Sequence, residues 1–368
     1  MATPTETPTT GEDTTPVGAS KAKTTLKVAV RVLFAVAALG IAVFVLTGIF
    51  DDLDIDQIRA ALNELSDAEW ISLAMGWAIW VGFQGLQTAS LVTGMPARRG
   101  VLAYLGPSAV ASVIPGPSDL PVRYSMYQSW GTSSKEATTA VAASGIFSVG
   151  SQLVLPAFAG VAIAFSGIEV DGFLTVIVVT TVTLAVVIFT LALTLGSEQR
   201  TRWVATRLDP LFRATRRLLR KAPPTEDLGS MVVGYRSTAI DHLAGKWLPT
   251  SGATALTIVA KCSLLIMSLR FVGIPEDALG WSAIFAVFSL VAGLTIIPIT
   301  PGSAGVSEIA LVGMLTPIAG TEYVNEVAAG VLLYRLLTWI LLIPAGLAAL
   351  GAWQLQRRRA SAPLDVAG

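Results

Sequence analysis

Long apolar runs separated by short charged segments make up most of this chain after residue 27. Six continuous runs exceed the roughly 18 residues that a helix needs to cross a bilayer. They are residues 28–50, 70–94, 138–165, 173–195, 248–272 and 327–353. This pattern predicts an all-α polytopic membrane protein with six full spans.

Two further apolar segments, residues 101–130 and 281–315, are interrupted by proline and glycine. The sequences "VIPGPSDLPVRYSMY" and "PITPGSAGVSEIALV" each place Pro-Gly at a bend and a charged residue about two turns later. The positive-inside rule places basic connecting segments in the cytoplasm. The basic and acidic connecting segments of this chain lie on opposite sides of the membrane only if each broken segment enters and leaves on the same side. We therefore expect two re-entrant helical hairpins. Their predicted tips are Pro115 and Gly116 in the first hairpin, and Pro301, Gly302 and Gly305 in the second.

The order of these elements repeats, which divides the chain into two membrane units. Residues 25–170 form the first predicted repeat, and residues 171–356 form the second. We expect the first hairpin to open to the cytoplasm and the second to the outside, an inverted topology found in many secondary transporters. Irregular backbone persists at membrane depth only inside protein or beside a water-filled cavity. The two tips are therefore predicted to line a cavity near the midplane.

Basic residues determine the predicted orientation. They precede the first span, fill the loop at residues 198–246 and follow the last span at Arg357, Arg358 and Arg359. Lys and Arg concentrate in cytoplasmic loops of membrane proteins. We therefore expect cytoplasmic termini, with a disordered tail at residues 1–24 and a short tail at residues 357–368.

Composition supports the membrane assignment. Hydrophobic residues make up 53% of the 368 residues and charged residues only 14%. Soluble domains carry about 25% charged residues. The single cysteine, Cys262, excludes an internal disulfide. We expect no nucleic-acid partner.

Ionisable side chains at apolar depth are the first candidates for a functional site. Each costs at least about 2.5 to 3.5 kcal/mol at the bilayer centre unless it faces protein or water. Six residues qualify: Asp119, Arg123, Lys261, Arg270, Glu308 and Arg335. A guanidinium binds phosphate through two hydrogen bonds, and lysine supplies a point charge. Arg123, Lys261 and Arg335 are therefore predicted to hold a phosphate headgroup, whereas Arg270 lies near a span end and is predicted to be structural.

The two acids and the serines of the second break leave alternatives open. Glu308 either pairs with one of the cations when the site is empty or carries a coupling proton. The simplest alternative is an ion pair that only stabilises the fold, because a buried charge needs a partner whatever the function. Asp119 either carries a proton or caps the second arm of the first hairpin. Ser303 and Ser307 either cap a helix start or donate to a bound anion.

Motifs of several other function classes are missing from the sequence. It contains no GxxxxGK[ST] phosphate-binding loop, no HExxH and no Cys/His cluster. The lone histidine, His242, lies beside Asp241 in the basic loop, which is weak evidence for catalysis. We therefore expect a protein that is not an enzyme and has no cofactor and no metal site.

Two segments carry a resemblance to a known family. The stretch "ITPGSAGVSEIALVGML" resembles the Pro-Gly-x-x-Gly-x-x-Glu segment of the lysylphosphatidylglycerol synthase transmembrane-region family, also called flippase-like proteins. The stretch "GVLLYRLLTWILLIPAG" is similar to the following span of that family, with its Tyr-Arg pair at Tyr334 and Arg335. The resemblance covers residues 28–353 and adds Tyr334 to the candidate substrate-binding residues.

The first hairpin departs from the family pattern. Where the family has a basic residue after Pro-Gly, this chain has Pro117, and Pro121 intrudes before Arg123. The full-length synthases join this membrane region to a cytosolic aminoacyl transferase, which we do not find here. The resemblance therefore implies a multi-pass protein of a bacterial plasma membrane that translocates or binds a lipid.

The leading hypothesis is a transporter for an anionic lipid or a polyprenyl-phosphate-linked sugar, driven downhill or by protons. Membrane lipids are then the expected partners. One alternative is an ion or small-solute carrier with the same inverted hairpins. Another is an accessory subunit of a membrane glycosyltransferase or lipid synthase. A homodimer or a partner membrane enzyme is compatible with these hypotheses.

Overall fold

The computed structural model describes residues 62–114, 118–166, 245–296 and 300–361, together with isolated positions between residues 56 and 60 and between residues 199 and 209. The predicted spans at residues 28–50 and 173–195 lie outside these residues. So do both tails apart from residues 357–361, most of the basic loop, and the tip formed by Pro115 and Gly116.

Throughout these ranges the chain is helical, without a strand, as the apolar pattern predicts. Nine α-helices are described, and a π turn at Leu336–Ile340 joins the last two. The helices are α1 (Asp67–Ser90), α2 (Ala97–Val113), α3 (Asp119–Ser129), α4 (Ser134–Ser166), α5 (Trp247–Phe271), α6 (Trp281–Leu294), α7 (Val306–Ala319), α8 (Val324–Arg335) and α9 (Leu342–Ser361).

Three helical stretches within the described ranges are long and apolar enough to cross a membrane. They are Ser134–Gly160, Trp247–Phe271 and Thr321–Arg359. Helix α1 also presents a lipid-type face, because Ile71, Met75 and Ile79 are each more than half exposed and recur every four residues. These apolar faces identify an integral membrane protein.

Helix α1 begins three residues before the predicted start of its span. Ser66 forms a capping box, in which its hydroxyl accepts from the Glu69 N–H and the Glu69 carboxylate accepts from the Ser66 N–H at 2.8 Å. Two backbone donors at the helix start are satisfied in this way. The helix therefore includes the polar residues Asp67 and Glu69, which the apolar pattern alone had left outside.

Both segments predicted to be interrupted consist of a helix, a break and a second helix. Helix α2 ends at Val113 and α3 begins at Asp119, whereas α6 ends at Leu294 and α7 begins at Val306. Within each pair the two helices pack on each other. The second break, between Leu294 and Val306, contains Gly302 with a φ of 58°, a backbone conformation that glycine permits.

Helices of the two predicted repeats pack closely against each other. The main contacts between the repeats pair α1 with α5, α2 with α9, and α4 with α6. In the predicted repeats, α1 corresponds to α5, α2 to α6, and α4 to the unit of α8 and α9. Replacing each helix by its counterpart gives the same three pairs of contacting helices. The packing therefore has the symmetry expected of two related repeats.

Glycines allow several of these helices to approach at backbone distance. A side chain on Gly100 of α2 would overlap the Gly85 carbonyl of α1. A side chain on Gly346 of α9 would overlap the Leu105 carbonyl of α2. Small residues at helix crossings are the usual basis of tight packing in membranes, where no hydrophobic force drives helices together.

Candidate functional site

A cavity of about 380 Å³ lies between helices α1, α4, α5, α6, α7 and α8, beside the second break. Polar side chains from several helices face it. Three are glutamines, Gln84, Gln87 and Gln152, and two are the cations Lys261 and Arg335. The lining thus combines positive charge with neutral hydrogen-bonding groups at the depth of apolar helices.

Arg335 is held at the cavity wall by an ion pair. Its Nε donates to Oε1 of Glu308 at 2.6 Å, and its Nη2 donates to the Gly302 carbonyl at 2.7 Å. Only 9% of Arg335 and 4% of Glu308 are exposed. Charge-assisted hydrogen bonds in such a buried place fix the guanidinium plane. The pair predicted for Glu308 is therefore formed, and its partner is Arg335.

Lys261 faces the same cavity from the middle of α5. Its ammonium lies 5.9 Å from the centre of the Trp80 ring, within the range of a cation–π contact. No carboxylate lies within ion-pair distance of it among the described residues. Lys261 therefore supplies a positive charge that the surrounding helices leave largely uncompensated.

The second break has left-handed backbone at Gly302, Ser303 and Gly305, with φ values of 58°, 55° and 81°. Helix α7 begins after Gly305 without a side-chain cap. The proposed capping role of Ser303 is therefore not seen here. Ser303 and Ser307 line the cavity, as does Arg335.

Trp339 connects the second break to the first repeat. A side chain on Gly302 would overlap the Trp339 indole, whose Nε1 donates to the Ser112 carbonyl of α2 at 3.3 Å. The same ring lies 5.2 Å from the Arg335 guanidinium carbon. Trp339 was not predicted as a site residue, because its partners lie far away in the sequence. In the local sequence, only the Pro301-Gly302 pair indicated that a bulky side chain packs against this backbone.

Hydroxyl and amide groups of α1 and α5 form a second part of the lining. Gln87 Nε2 donates to the Thr254 hydroxyl at 2.7 Å, and Thr254 donates to the Thr250 carbonyl. One turn farther along α5, the Thr257 hydroxyl is buried without a hydrogen-bond partner in the described structure. An unsatisfied buried hydroxyl is costly unless something else pairs with it.

The predicted site residues of the first repeat lie elsewhere. Arg123 pairs with Asp119, whose Oδ2 is 3.3 Å from Nη2, and donates to the Ser144 hydroxyl at 2.8 Å. Neither residue lines the central cavity. Helix α3 begins at Asp119 itself, so this carboxylate lies in the first turn and is not the N-cap. The structure therefore brings Lys261, Ser303, Ser307, Tyr334 and Arg335 together and leaves Arg123 and Asp119 apart.

Comparison with known families identifies the fold to which this cavity belongs. The family described as "Lysylphosphatidylglycerol synthase TM region" matches residues 28–346. The chain belongs to this family. A comparison with curated proteins finds no match. Membership in the lysylphosphatidylglycerol synthase transmembrane-region family makes the chain a membrane protein of lipid-related processes.

The family match includes both cations that line the central cavity and the acid that pairs with one of them. Lys261, Glu308 and Arg335 all lie within it, as does the Tyr-Arg pair on which the resemblance was based. Tyr334 is 4% exposed and lines the cavity next to Arg335. Residues from both segments that carry the resemblance therefore line this cavity.

Arg270 lies outside the cavity and has a structural environment. It pairs with Glu276 and donates to the Ile274 carbonyl at 3.1 Å, which closes the loop between α5 and α6. A hydrogen bond from the Trp281 N–H, together with Arg270, lowers the pKa of Glu276 below its usual value. In the described ranges no three His, Cys, Asp or Glu residues are grouped in a way that would hold a metal ion.

Proposed function

We propose that this protein is a transporter that moves an anionic lipid, or a polyprenyl-phosphate-linked sugar, across a bacterial plasma membrane. One observation carries the proposal. Lys261 and Arg335 face a single polar cavity beside a broken helix, at the depth of apolar helices. Charged groups in such positions commonly mark a substrate path.

The two cations suit a phosphate group. Two of the Arg335 nitrogens are occupied by Glu308 and Gly302, and the guanidinium still faces the cavity. Lys261 adds a point charge that is not neutralised by a nearby carboxylate among the described residues. Phosphate is recognised through this combination of a planar fork and a compact ammonium.

The neutral part of the lining suits a headgroup that carries hydroxyl groups. Gln84, Gln87 and Gln152 each provide a donor and an acceptor. The unsatisfied Thr257 hydroxyl adds a further group on the side of α5. Glycerol and sugar hydroxyls pair with such residues, so a phosphate joined to a hydroxyl-bearing group matches the cavity in both charge and hydrogen bonding.

The size of the cavity supports a lipid that is bound by its headgroup. A volume of about 380 Å³ is near the lower end of the range for small-molecule pockets, about 300 to 1,000 Å³. It accommodates a phosphate with a small polar group and leaves no room for long acyl or prenyl chains. The chains would remain in the surrounding lipid while the headgroup crosses.

Movement between two sides of the membrane would use the repeats. The pairing of α2 with α9 and of α4 with α6 supports two units that rock against each other around a central site. We infer that the two broken segments are re-entrant hairpins of opposite orientation. Transport would be downhill or proton-coupled, with Glu308 as the first candidate proton carrier, and the protein would not be an enzyme.

Reconstituted transport tests the proposal directly. The purified protein is placed in vesicles with fluorescent phosphatidylglycerol, and a membrane-impermeant quencher reports how fast the lipid reaches the outer leaflet. We expect Lys261→Gln to slow transport by about tenfold or more, because it removes a charged phosphate contact. Lys135→Gln is the matched control, since Lys135 is exposed in the first turn of α4.

The outcomes separate the hypotheses. Equal rates in both variants and the parent protein would exclude Lys261 from the headgroup site. Absence of lipid movement, together with flux of a small anion that depends on Lys261, would favour the solute carrier instead.

A further inference from the structure

A second pocket lies away from the central cavity, where the start of α2 meets α3 and the end of α9. Its volume is about 500 Å³. Three arginines line it: Arg98 and Arg99 from α2, and Arg357 from α9. It shares no lining residue with the central cavity. Two separate helices thus bring three basic side chains to one place.

Tryptophans orient two of these arginines. The Arg99 guanidinium carbon lies 5.6 Å from the centre of the Trp130 ring, and that of Arg357 lies 5.2 Å from the centre of the Trp353 ring. Trp353 is itself fixed, because its Nε1 donates to the Ser129 hydroxyl at 2.8 Å. Side chains held against aromatic rings lose less conformational freedom when they bind a ligand.

The charged side chains that line this pocket are all basic. Among the residues that the structure describes, no carboxylate lines it. Arg98 and Arg99 also lie in the first turn of α2, which contains no acidic residue. A helix start carries partial positive charge, so cations there raise the local potential further. An anion in the pocket would relieve this repulsion.

The pocket also has an apolar wall, formed by Leu102, Ala352 and the Trp130 ring. It lies at the end of the apolar stretch Thr321–Arg359, which is long and apolar enough to cross a membrane. The ends of such a stretch are expected where lipid headgroups meet the hydrocarbon. The general preference for basic residues on one side of the membrane explains why charges occur there. It does not explain a pocket in which arginines are held in place beside an apolar wall.

We propose that this pocket binds the phosphate of an anionic phospholipid as a resident ligand, separate from the transported lipid. The phosphate lies among Arg98, Arg99 and Arg357, and the glycerol end of the chains contacts the apolar wall. The bound lipid joins α2 of the first repeat to α9 of the second. It therefore stabilises one of the contacts between the repeats.

The test measures the unfolding temperature of the full-length protein in detergent. Dioleoylphosphatidylglycerol is added to one sample, dioleoylphosphatidylcholine to a second and inorganic phosphate to a third. We expect phosphatidylglycerol to raise the temperature and the other two to have little effect. In Arg99→Gln/Arg357→Gln, half-maximal stabilisation should require about tenfold more phosphatidylglycerol, because two charged contacts are lost.

Arg358→Gln/Arg359→Gln is the matched control. It removes the same number of positive charges, both from the end of α9 next to Arg357, yet neither residue lines the pocket. It should respond to phosphatidylglycerol as the parent protein does. In a Lys261→Gln background, where binding in the central cavity is already weakened, Arg99→Gln/Arg357→Gln should still raise the half-maximal concentration about tenfold, which separates the pocket from the central cavity.

Three results would overturn the proposal. Equal losses in both double variants would show a general effect of surface charge, and a full response in Arg99→Gln/Arg357→Gln would exclude the pocket. Inorganic phosphate that matches phosphatidylglycerol would identify a site for free phosphate. If Arg99→Gln/Arg357→Gln does not stay folded without ligand, Trp130→Leu takes its place. Native mass spectrometry of Trp130→Leu should then detect fewer retained phosphatidylglycerol molecules than in the parent protein.

Discussion

The Nε of Arg335 lies 2.6 Å from Oε1 of Glu308, so the end of α8 is joined to the first turn of α7. The same guanidinium donates to the Gly302 carbonyl in the second break. One side chain therefore fixes the break and faces the cavity. This arrangement shows how an irregular segment is held between two apolar helices by a single buried side chain.

Breaking this pair from either side should destabilise the protein strongly. We expect Glu308→Ala and Arg335→Ala each to lower the free energy of unfolding by about 3 to 5 kcal/mol, because each leaves a buried charge without its partner. The double variant should lose less than the sum of the two. A double-mutant cycle from denaturant unfolding in detergent measures the coupling. Simple additivity would show that the two charges do not stabilise each other.

The contact between Gly302 and Trp339 gives a second prediction. Gly302→Ala should destabilise the protein and impair headgroup binding, because its added methyl group would overlap the indole and its φ of 58° disfavours other residues. Gly313→Ala on α7 is the matched control, since a side chain there meets no atom within 4 Å. The unfolding temperatures of both variants provide the measurement. Equal effects would mean that the indole does not require glycine at position 302.

The elements of the fold could be predicted largely from local sequence signals. Apolar length indicates the helices, and Pro-Gly indicates both breaks. The Ser66–Glu69 capping box, a Ser-x-x-Glu pattern, would have corrected the start of α1. The four-residue spacing of Asp119 and Arg123 would likewise have indicated an ion pair within α3.

The site could be predicted only in part. Lys261 and Arg335 stand out because charges in apolar runs are rare. The glutamines and threonines do not, because neutral polar residues are tolerated on many membrane helices, and only packing determines which of them face a cavity. Trp339 meets Ser112 across 227 positions of sequence, and no local pattern encodes such a contact.

Thr257 allows binding to be separated from stability. Thr257→Val removes a buried hydroxyl that has no partner in the described structure, so the protein should be as stable as before or slightly more stable. Headgroup binding should nevertheless weaken, because the ligand loses a hydrogen-bond partner. Thr254→Val is the contrasting variant and should destabilise, since Thr254 bonds both Gln87 and the Thr250 carbonyl. Unchanged binding in Thr257→Val would remove this hydroxyl from the proposed site.

The loop between α5 and α6 should respond to acid through Glu276. The backbone N–H of Trp281 and the Arg270 side chain lower the pKa of Glu276 in the folded protein. The carboxylate therefore stabilises the fold above its unfolded pKa, and this contribution is lost as the pH falls through the lower, folded value. Glu276 is more than half exposed, so the effect should be small.

Unfolding temperatures between neutral pH and pH 3 test this contribution. Glu276→Gln should be less stable than the parent protein at neutral pH, and the difference should vanish at the acid end. Asp277→Asn controls for the loss of a neighbouring carboxylate. A difference that is independent of pH would show that the loop is held by contacts other than the Glu276 charge.

Glu308 is the residue at which a proton gradient could act on the transported headgroup. A proton on its carboxylate would weaken its hold on Arg335 and free the guanidinium for phosphate. Glu308→Gln imitates that protonated state permanently, while the amide oxygen still accepts from Arg335. Lipid transport in vesicles should therefore continue in this variant but no longer respond to a pH difference across the membrane.

Asp119→Asn is the comparison, because its carboxylate pairs with Arg123 away from the cavity. A Glu308→Gln protein that follows the gradient fully would exclude Glu308 as the coupling residue, and loss of the response in Asp119→Asn alone would assign coupling to the first repeat.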